Sequence, residues 1–484
     1  MRMHVTRSHD KTLARIVLGI VCLFSFAAQL NAKKVYDLPN TNLATFFTQK
    51  NMTYVIQHPH STLDTLALPD NITLEFKGGS IKAPIIFRHT HLKGNVKLQG
   101  SHITGVIANN TFNAKWLCHA DGVNDDAAHI NDMMQVCENI YFPKGIYQLI
   151  STHTPKYPIN KPYHLGINRS HQTLTGGKGA VLRTNIMAGM LTVYSKPYDI
   201  AHSISDITIQ GLTFQVVNEA TTFDPYQQHC HTISLKGVNG CVIQKCRFQN
   251  FWGDAICLNH YNDNEQTGER ARNMNVLIQH NYIDGYKHSN RNGVSVINGE
   301  HAVIRNNVLV NCSHKTMPGA IDVEANNTAY TVNDILISGN TIDQSQGMNA
   351  AISVVSNKLR APAHNITITK NVITRSNRAF AFWIDSNGCA DNITITKNKA
   401  DQHTTPFMFW QEGETENWTF TGNTFLCPTK QDFGGKLKIK NLIIRDNKIE
   451  KLAWYRTGNM PIVLICAFFI LACALHALFS RKAS

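Results

Sequence analysis

Along the second half of the chain, apolar and polar residues alternate in short runs that close on an asparagine. Leu277-Ile278-Gln279-His280-Asn281, Val303-Ile304-Arg305-Asn306-Asn307, Leu336-Ile337-Ser338-Gly339-Asn340 and Ile366-Thr367-Ile368-Thr369-Lys370-Asn371 are four such runs. Ile393-Thr394-Ile395-Thr396-Lys397-Asn398, Trp418-Thr419-Phe420-Thr421-Gly422-Asn423 and Ile443-Ile444-Arg445-Asp446-Asn447 continue the series. Successive asparagines stand 26, 33, 31, 27, 25 and 24 residues apart, and Cys246 and Gly211 hold the same slot upstream at steps of 35. Alternation with period two is a half-buried strand. Its regular return marks a solenoid, whose units bury their apolar faces only against one another. Asparagine suits the closing turn because it tolerates left-handed backbone angles, and its amide can bond the asparagine one coil above. The pattern predicts an all-β right-handed parallel β-helix.

A second strand recurs in each coil. Its copies align as Ala255-Ile256-Cys257-Leu258-Asn259, Gly293-Val294-Ser295-Val296-Ile297, Ala320-Ile321-Asp322-Val323-Glu324 and Ala351-Ile352-Ser353-Val354-Val355, then Ala381-Phe382-Trp383-Ile384-Asp385 and Met408-Phe409-Trp410-Gln411-Glu412. The second and fourth positions are mostly apolar and should face the core, which turns the third and fifth to solvent. One face then carries Asp322, Glu324, Asp385 and Glu412 with Trp383 and Trp410. Same-face neighbours such as Asp322 and Glu324 lie about 6.6–6.8 Å apart at the backbone, and Asp385, two coils from Glu324, about 9–10 Å. Both spacings fall near the roughly 6.5–9.5 Å between the acid and base of inverting glycosidases. Asp322, Glu324 and Asp385 are therefore the candidate catalytic residues, with the tryptophans as sugar-stacking platforms and Glu412 beside them. A second constellation combines Tyr286, Lys287, His288, Asn290 and Arg291 with Asp254 and His260. Its cations could neutralise a uronate carboxylate and its bases take a proton from carbon.

The segment 33–112 holds short alternating stretches of irregular period, read as β-structure preceding the main solenoid at 113–455. Asp121-Gly122-Val123-Asn124-Asp125-Asp126 is expected to open a short helix over Ala127 to Val136, with Asn124 or Asp125 as N-cap, placed to cap the open end of the solenoid. The phrase Ile140-Tyr141-Phe142-Pro143-Lys144-Gly145-Ile146-Tyr147 follows it.

Asp-Gly-Val-x-Asp-Asp, a short helix and then Phe-Pro-x-Gly-x-Tyr resemble the start of the pectin-lyase-like β-helix superfamily. The branch most similar includes rhamnogalacturonase-like, polygalacturonase-like and tailspike-like proteins. The resemblance spans about residues 113–450 and implies a glycan groove along one strand stack. Its reaction stays open, because the superfamily holds hydrolases, lyases, epimerases and plain binding proteins. The aspartates of the Asp121 motif are structural in that family. Polygalacturonase-like pairs are absent: Gly253-Asp254-Ala255 stands where two acids would, without a following Gly-His-Gly. Trp383-Ile384-Asp385 resembles a pectate-lyase phrase, but Ser386 replaces its histidine. Asp224-Pro225 is similar to alginate epimerases without the histidine and acid that should follow.

Composition narrows the partners. Net charge is +13, yet residues 33–455 carry only +7, with 39 basic against 32 acidic side chains. No basic run with interleaved aromatics points to nucleic acid. Residues 1–32 read as a secretory signal, with Arg2, Arg7, Lys11 and Arg15 before the apolar run Ile16 to Ala28. Residues 460–480 read as a transmembrane helix followed by Arg481 and Lys482, which leaves the β-helix outside the cytoplasm, anchored and monomeric. Nine cysteines lie between these ends, an odd number without metal-ligand spacing, so no metal site is indicated. The expected function is polysaccharide hydrolysis by a carboxylate pair, without a cofactor. A uronate lyase or C5-epimerase, calcium-dependent if a lyase, and a non-catalytic glycan-binding surface protein are the other readings.

Overall fold

The computed structural model describes residues 33–154, 162–195, 203–217, 224–260, 272–287, 289–326, 330, 332–356, 362–402, 406–427 and 438–451. The expected signal at 1–32 and the expected anchor at 460–480 lie outside them. Among the described residues no helix is long and apolar enough to cross a membrane.

Two compact units divide the chain, one of Met1–His119 with Asp132–Ile140, the other of Ala120–Asn131 with Tyr141–Ser484. The irregular period of the first hides a parallel stack: Lys34–Tyr36, Thr53–Ile56, Thr73–Phe76 and Pro84–Gly94 pair in parallel. Tyr54, Leu74 and Leu92 share one register position there and are all buried.

The second unit is the right-handed parallel β-helix. One sheet runs from Asp121–Asp125 to Lys448–Lys451 in 12 strands, and a second from Tyr163–Ile167 to Phe407–Gln411 in nine. A third stacks the alternating runs, from Thr173–Gly176 to Ile443–Arg445. Every pairing among them is parallel, with register shifts at Asp121–Asp125 and between Thr374 and Ser376. Ile209, Ile243, Ile278, Ile304, Ile337, Ile368 and Ile395 therefore form one buried column. Each such side chain contributes roughly 1.5–3 kcal/mol by leaving water, which only stacking of coil on coil supplies.

Two local expectations shift. The helix occupies Ala127–Val136 as predicted, but Asp121–Asp125 is a strand paired with Gly145–Gln148. The Asp125 carboxylate accepts from the amides of Ala127, Ile150 and Ser151 at 3.1, 2.9 and 3.0 Å, joining helix start to strand end. The asparagine turn also differs in detail. The left-handed residue is the one before the asparagine: His280, Asn306, Gly339, Lys370, Lys397, Gly422 and Asp446 all have φ between 54° and 65°. Upstream, Lys245 and Gly211 take that slot, so Gly211 sits one place before the ladder position. The asparagines are free to do something else. Asn307 Nδ2 donates to Asn340 Oδ1 at 3.0 Å and to the Ile278 carbonyl at 2.9 Å, and its amide donates to the same Asn340 oxygen at 3.0 Å. Asn281, Asn340, Asn371, Asn398 and Asn423 repeat the arrangement, ending on Asn447. A buried polar column is thus fully paired by its own copies.

Candidate functional site

The nine-stranded sheet carries the site, and its register decides which residues meet. Cys257, Ser295, Asp322 and Ser353 share one position on successive coils, as the alternation predicts. Beyond them the sequence alignment is corrected by two residues. Ser353 pairs with Ala381 and Val355 with Trp383, which pairs in turn with Trp410. A two-residue slip leaves every side chain on its own face, so the tryptophans stay outward but move into the row of Glu324. That row reads Glu324, Val355, Trp383, Trp410. Asp385 moves away correspondingly, to about 12 Å from Glu324 at the backbone, two coils over and two residues along.

Behind Glu324 lies a dense ion cluster. The turns entering the strands at Ile256–Leu258 and Val294–Val296 bring Asp254 and Arg291 over the outward face. Arg291 Nη1 donates to both Asp254 oxygens at 3.2 and 3.1 Å and to Ser295 Oγ at 3.1 Å. Its Nη2 donates to Glu324 at 2.6 Å and stands 3.6 Å from an Asp322 oxygen. Asn292 donates from Nδ2 to Ser295 Oγ and Asp322, and from its backbone amide to Asp254. Ser353 Oγ donates to Asp322 at 2.6 Å. The expectation that Asp322 faces solvent is not met: Asp254 and Asp322 have no exposed surface, while the Glu324 side chain keeps 17%.

One cation serves three acids, so their protonation diverges. Burial would push the Asp254 carboxyl up, but Arg291 and then His231 reverse this and hold it well below the usual carboxylate range. Burial and then Glu324 push Asp322 well above that range, against the pull of Arg291. Two carboxyls close to one nitrogen cannot both be charged cheaply. The cluster thus favours ionisation of Asp254 and opposes that of Asp322. Glu324 and Asp322 oxygens 2.6 and 3.6 Å from the same nitrogen are separated by less than the roughly 6.5 Å that an inverting pair needs. Asp322 and Glu324 are therefore not the spaced pair that backbone distances suggested.

The other candidates are distributed differently. Trp383 and Trp410 stack at 5.3 Å with planes 18° apart, and Trp410 is 49% exposed. Trp383 Nε1 donates to Asp385 at 3.2 Å. Glu412 is exposed and lines a separate groove with Asp391, Glu414, Glu416, Lys438 and Lys440. His260 stacks on Tyr330 at 4.4 Å and meets its hydroxyl at 2.8 Å. Lys287 holds its ammonium over the Tyr286 ring, and that tyrosine lines a groove with Gln215, Gln249 and Asp284 of the 12-stranded sheet. Asn290 is a buried brace, bonding Gly285 and Ser313. His288 lies outside the described residues.

His231 was not read from the sequence: its Nδ1 lies 3.2 Å from an Asp254 oxygen. The only signal for it was its place just before the strand Ile233–Lys236, at the coil position Asp254 occupies one turn later. His231, Asp254 and Cys257 offer ligand atoms within 4.8 Å of one another, an arrangement with metal-ligand chemistry. Arg291 already holds both Asp254 oxygens, and a cation there would face the guanidinium. Seven of the described cysteines are buried and Cys389 is half-buried.

No protein-family model matches the chain, and no curated protein does. Among solved structures, the surface adhesin PfbA of Streptococcus pneumoniae aligns at 14% identity and a TM-score of 0.42, over 70% of this chain and 89% of that one. A GH136 lacto-N-biosidase from Eubacterium ramulus aligns at 12% identity and TM-score 0.45, over 74% and 63%. The A-module of a mannuronan C-5 epimerase from Azotobacter vinelandii aligns at 14% and 0.40, over 70% and 96%. At these identities and TM-scores it is the parallel coils of the chain itself, not the alignments, that carry the assignment to the right-handed β-helix class.

Proposed function

We propose that the protein binds a polysaccharide along the row Glu324, Val355, Trp383, Trp410 and hydrolyses it. The observation that carries this reading is Glu324. It is the one carboxylate of the Arg291 cluster that reaches the surface, and it lies in register with two stacked tryptophans. Indole faces bury the apolar faces of sugar rings, and Trp410 leaves half its surface free for that. The Nη2 contact fixes the position of the Glu324 carboxylate, which suits the base that activates water. Asp385, held on Trp383 Nε1, is the second carboxylate of the strip. Asp322 positions the cluster without touching substrate. Cleavage of uronates by elimination is less well supported, because Arg291 is neutralised by Asp254 and Glu324. The terminal apolar segments would export and tether the chain, with this strip outside the cytoplasm.

The test incubates the full-length protein with neutral and acidic polysaccharides, following reducing ends and ultraviolet absorbance together. New reducing ends that disappear in Glu324→Gln are expected. Unsaturated product would replace hydrolysis by elimination, and binding without cleavage would make the protein a glycan holder.

A further inference from the structure

We propose that a groove at the corner between the 12-stranded and nine-stranded sheets is a second glycan-contact site, which holds an anionic substituent, carboxylate or sulfate ester, of a polysaccharide. The inference goes beyond the hydrolytic reading and does not depend on cleavage at Glu324. The groove has a volume of about 560 Å³ and is lined by Lys315, Gln344, Ser345, Gln346, Arg375 and Asn377. These residues belong to three successive coils, at or just beyond the strands Val308–Val310, Thr341–Asp343 and Val372–Ser376. The same coils continue into the strands of Glu324, Val355 and Trp383. Lys315 and Arg375 come from coils two strand spacings apart, about 9–10 Å, with Gln344 and Gln346 on the coil between.

No carboxylate lines this groove. Asp343, behind it, is already engaged: it accepts from Arg375 Nε at 2.9 Å, from Arg375 Nη2 and from Thr374 Oγ1 at 2.8 Å. That fork fixes the guanidinium through two of its five N–H groups and leaves Nη1 to other partners. Lys315 is exposed and makes no ion pair among the described residues. The backbone sets Arg375 apart as well. Asn311, Gln344 and Arg375 hold one turn position on successive coils, with φ of 53°, 53° and 51°. Asparagine adopts left-handed angles readily, whereas an arginine does so at a cost. A kept cost of that kind points to function. Gln344, Gln346 and Asn377 offer donors and acceptors together, which suits sugar hydroxyls, and the groove is far larger than one oxyanion. The groove beyond Trp410 has the opposite balance, with Asp391, Glu412, Glu414 and Glu416 against Lys438 and Lys440. An acidic glycan is favoured at the first groove and disfavoured at the second.

The experiment measures binding of the full-length protein to two matched pairs, polygalacturonate with its methyl ester and dextran sulfate with dextran, by affinity electrophoresis. At least one charged polymer should bind about tenfold more tightly than its uncharged partner, the worth of one charge-assisted contact. Which pair shows the preference separates carboxylate from sulfate. Lys315→Ala and Arg375→Gln should each remove most of it, with unchanged melting temperatures showing that the variants fold. Lys397→Ala deletes an exposed charge just past the strand Thr394–Thr396 of another sheet and should leave the preference as it is. Equal binding within both pairs overturns the inference. So does a preference that survives Lys315→Ala and Arg375→Gln, or that falls as far with Lys397→Ala. Cleavage dependent on Glu324 without any charge preference would leave the hydrolytic reading standing alone, and a preference without cleavage would leave this groove standing alone.

Discussion

The asparagine ladder and the Arg291 cluster are both buried polar networks on the same solenoid, and they solve the cost of burial in opposite ways. In the ladder every member is neutral and is satisfied by its own copy one coil away, so each added coil brings as many donors as acceptors. In the cluster a single guanidinium serves Asp254, Asp322 and Glu324, which with Arg291 itself come from three coils with no repeat among them. The ladder spreads its dependence over many residues. The cluster concentrates it in one, and leaves Asp322 with its ionisation opposed by burial and by Glu324. Translation by one coil is enough to build a scaffold. A site requires that translation be broken.

That contrast can be broken experimentally. The largest effect is expected on activity: Glu324→Gln should lower hydrolysis by at least about 100-fold, with an unchanged melting temperature showing that the scaffold is intact. Arg291→Met comes next. It strands the ionised Asp254 in a site without solvent, at a cost of about 3–5 kcal/mol, readable by denaturant unfolding. Asn340→Ala removes one rung and leaves buried groups on both neighbouring coils unpaired, costing about 1–3 kcal/mol. Asn447→Ala, at the end of the ladder, should cost less. If Asn340→Ala proved as damaging as Arg291→Met, the idea of distributed dependence would fail.

The smallest effect sharpens the comparison inside the cluster. The folded-state pKa of Asp254 is depressed, so its contribution to stability is present above the ordinary carboxylate value of about 3.9 and is lost as pH falls below it. Asp322 is raised, so above that same value its ionisation opposes folding. Asp322→Asn removes that opposition and should raise stability at pH 7, while Asp254→Asn lowers it and flattens the acid limb. Melting curves from pH 3 to 8 distinguish them.

Much of the scaffold was legible because repetition is visible in one dimension. The period of the asparagines, the apolar alternation and the helix at Ala127–Val136 all follow from residue order. Details that depend on neighbours were not. The turn takes its left-handed residue one place before the asparagine, since the amide is needed for the ladder and the preceding residue is not. Trp383 and Trp410 keep their face but change their row, because the alternating period cannot distinguish registers two residues apart.

The candidate site divides along the same line. Glu324, Arg291 and Asp254 were all identifiable as chemistry-bearing residues in outward or turn positions. Their roles were decided elsewhere: by a guanidinium reaching across coils, by His231 from a preceding coil, and by the complete burial of Asp322. The sequence by itself determined the stacking of parallel coils, because period and alternation are properties of residue order. Which acid is paired with the guanidinium and which reaches the surface were decided by tertiary structure alone. Charge state and exposure depend on what lies within a few ångströms in space, and in a solenoid those neighbours are a full coil or more away along the chain.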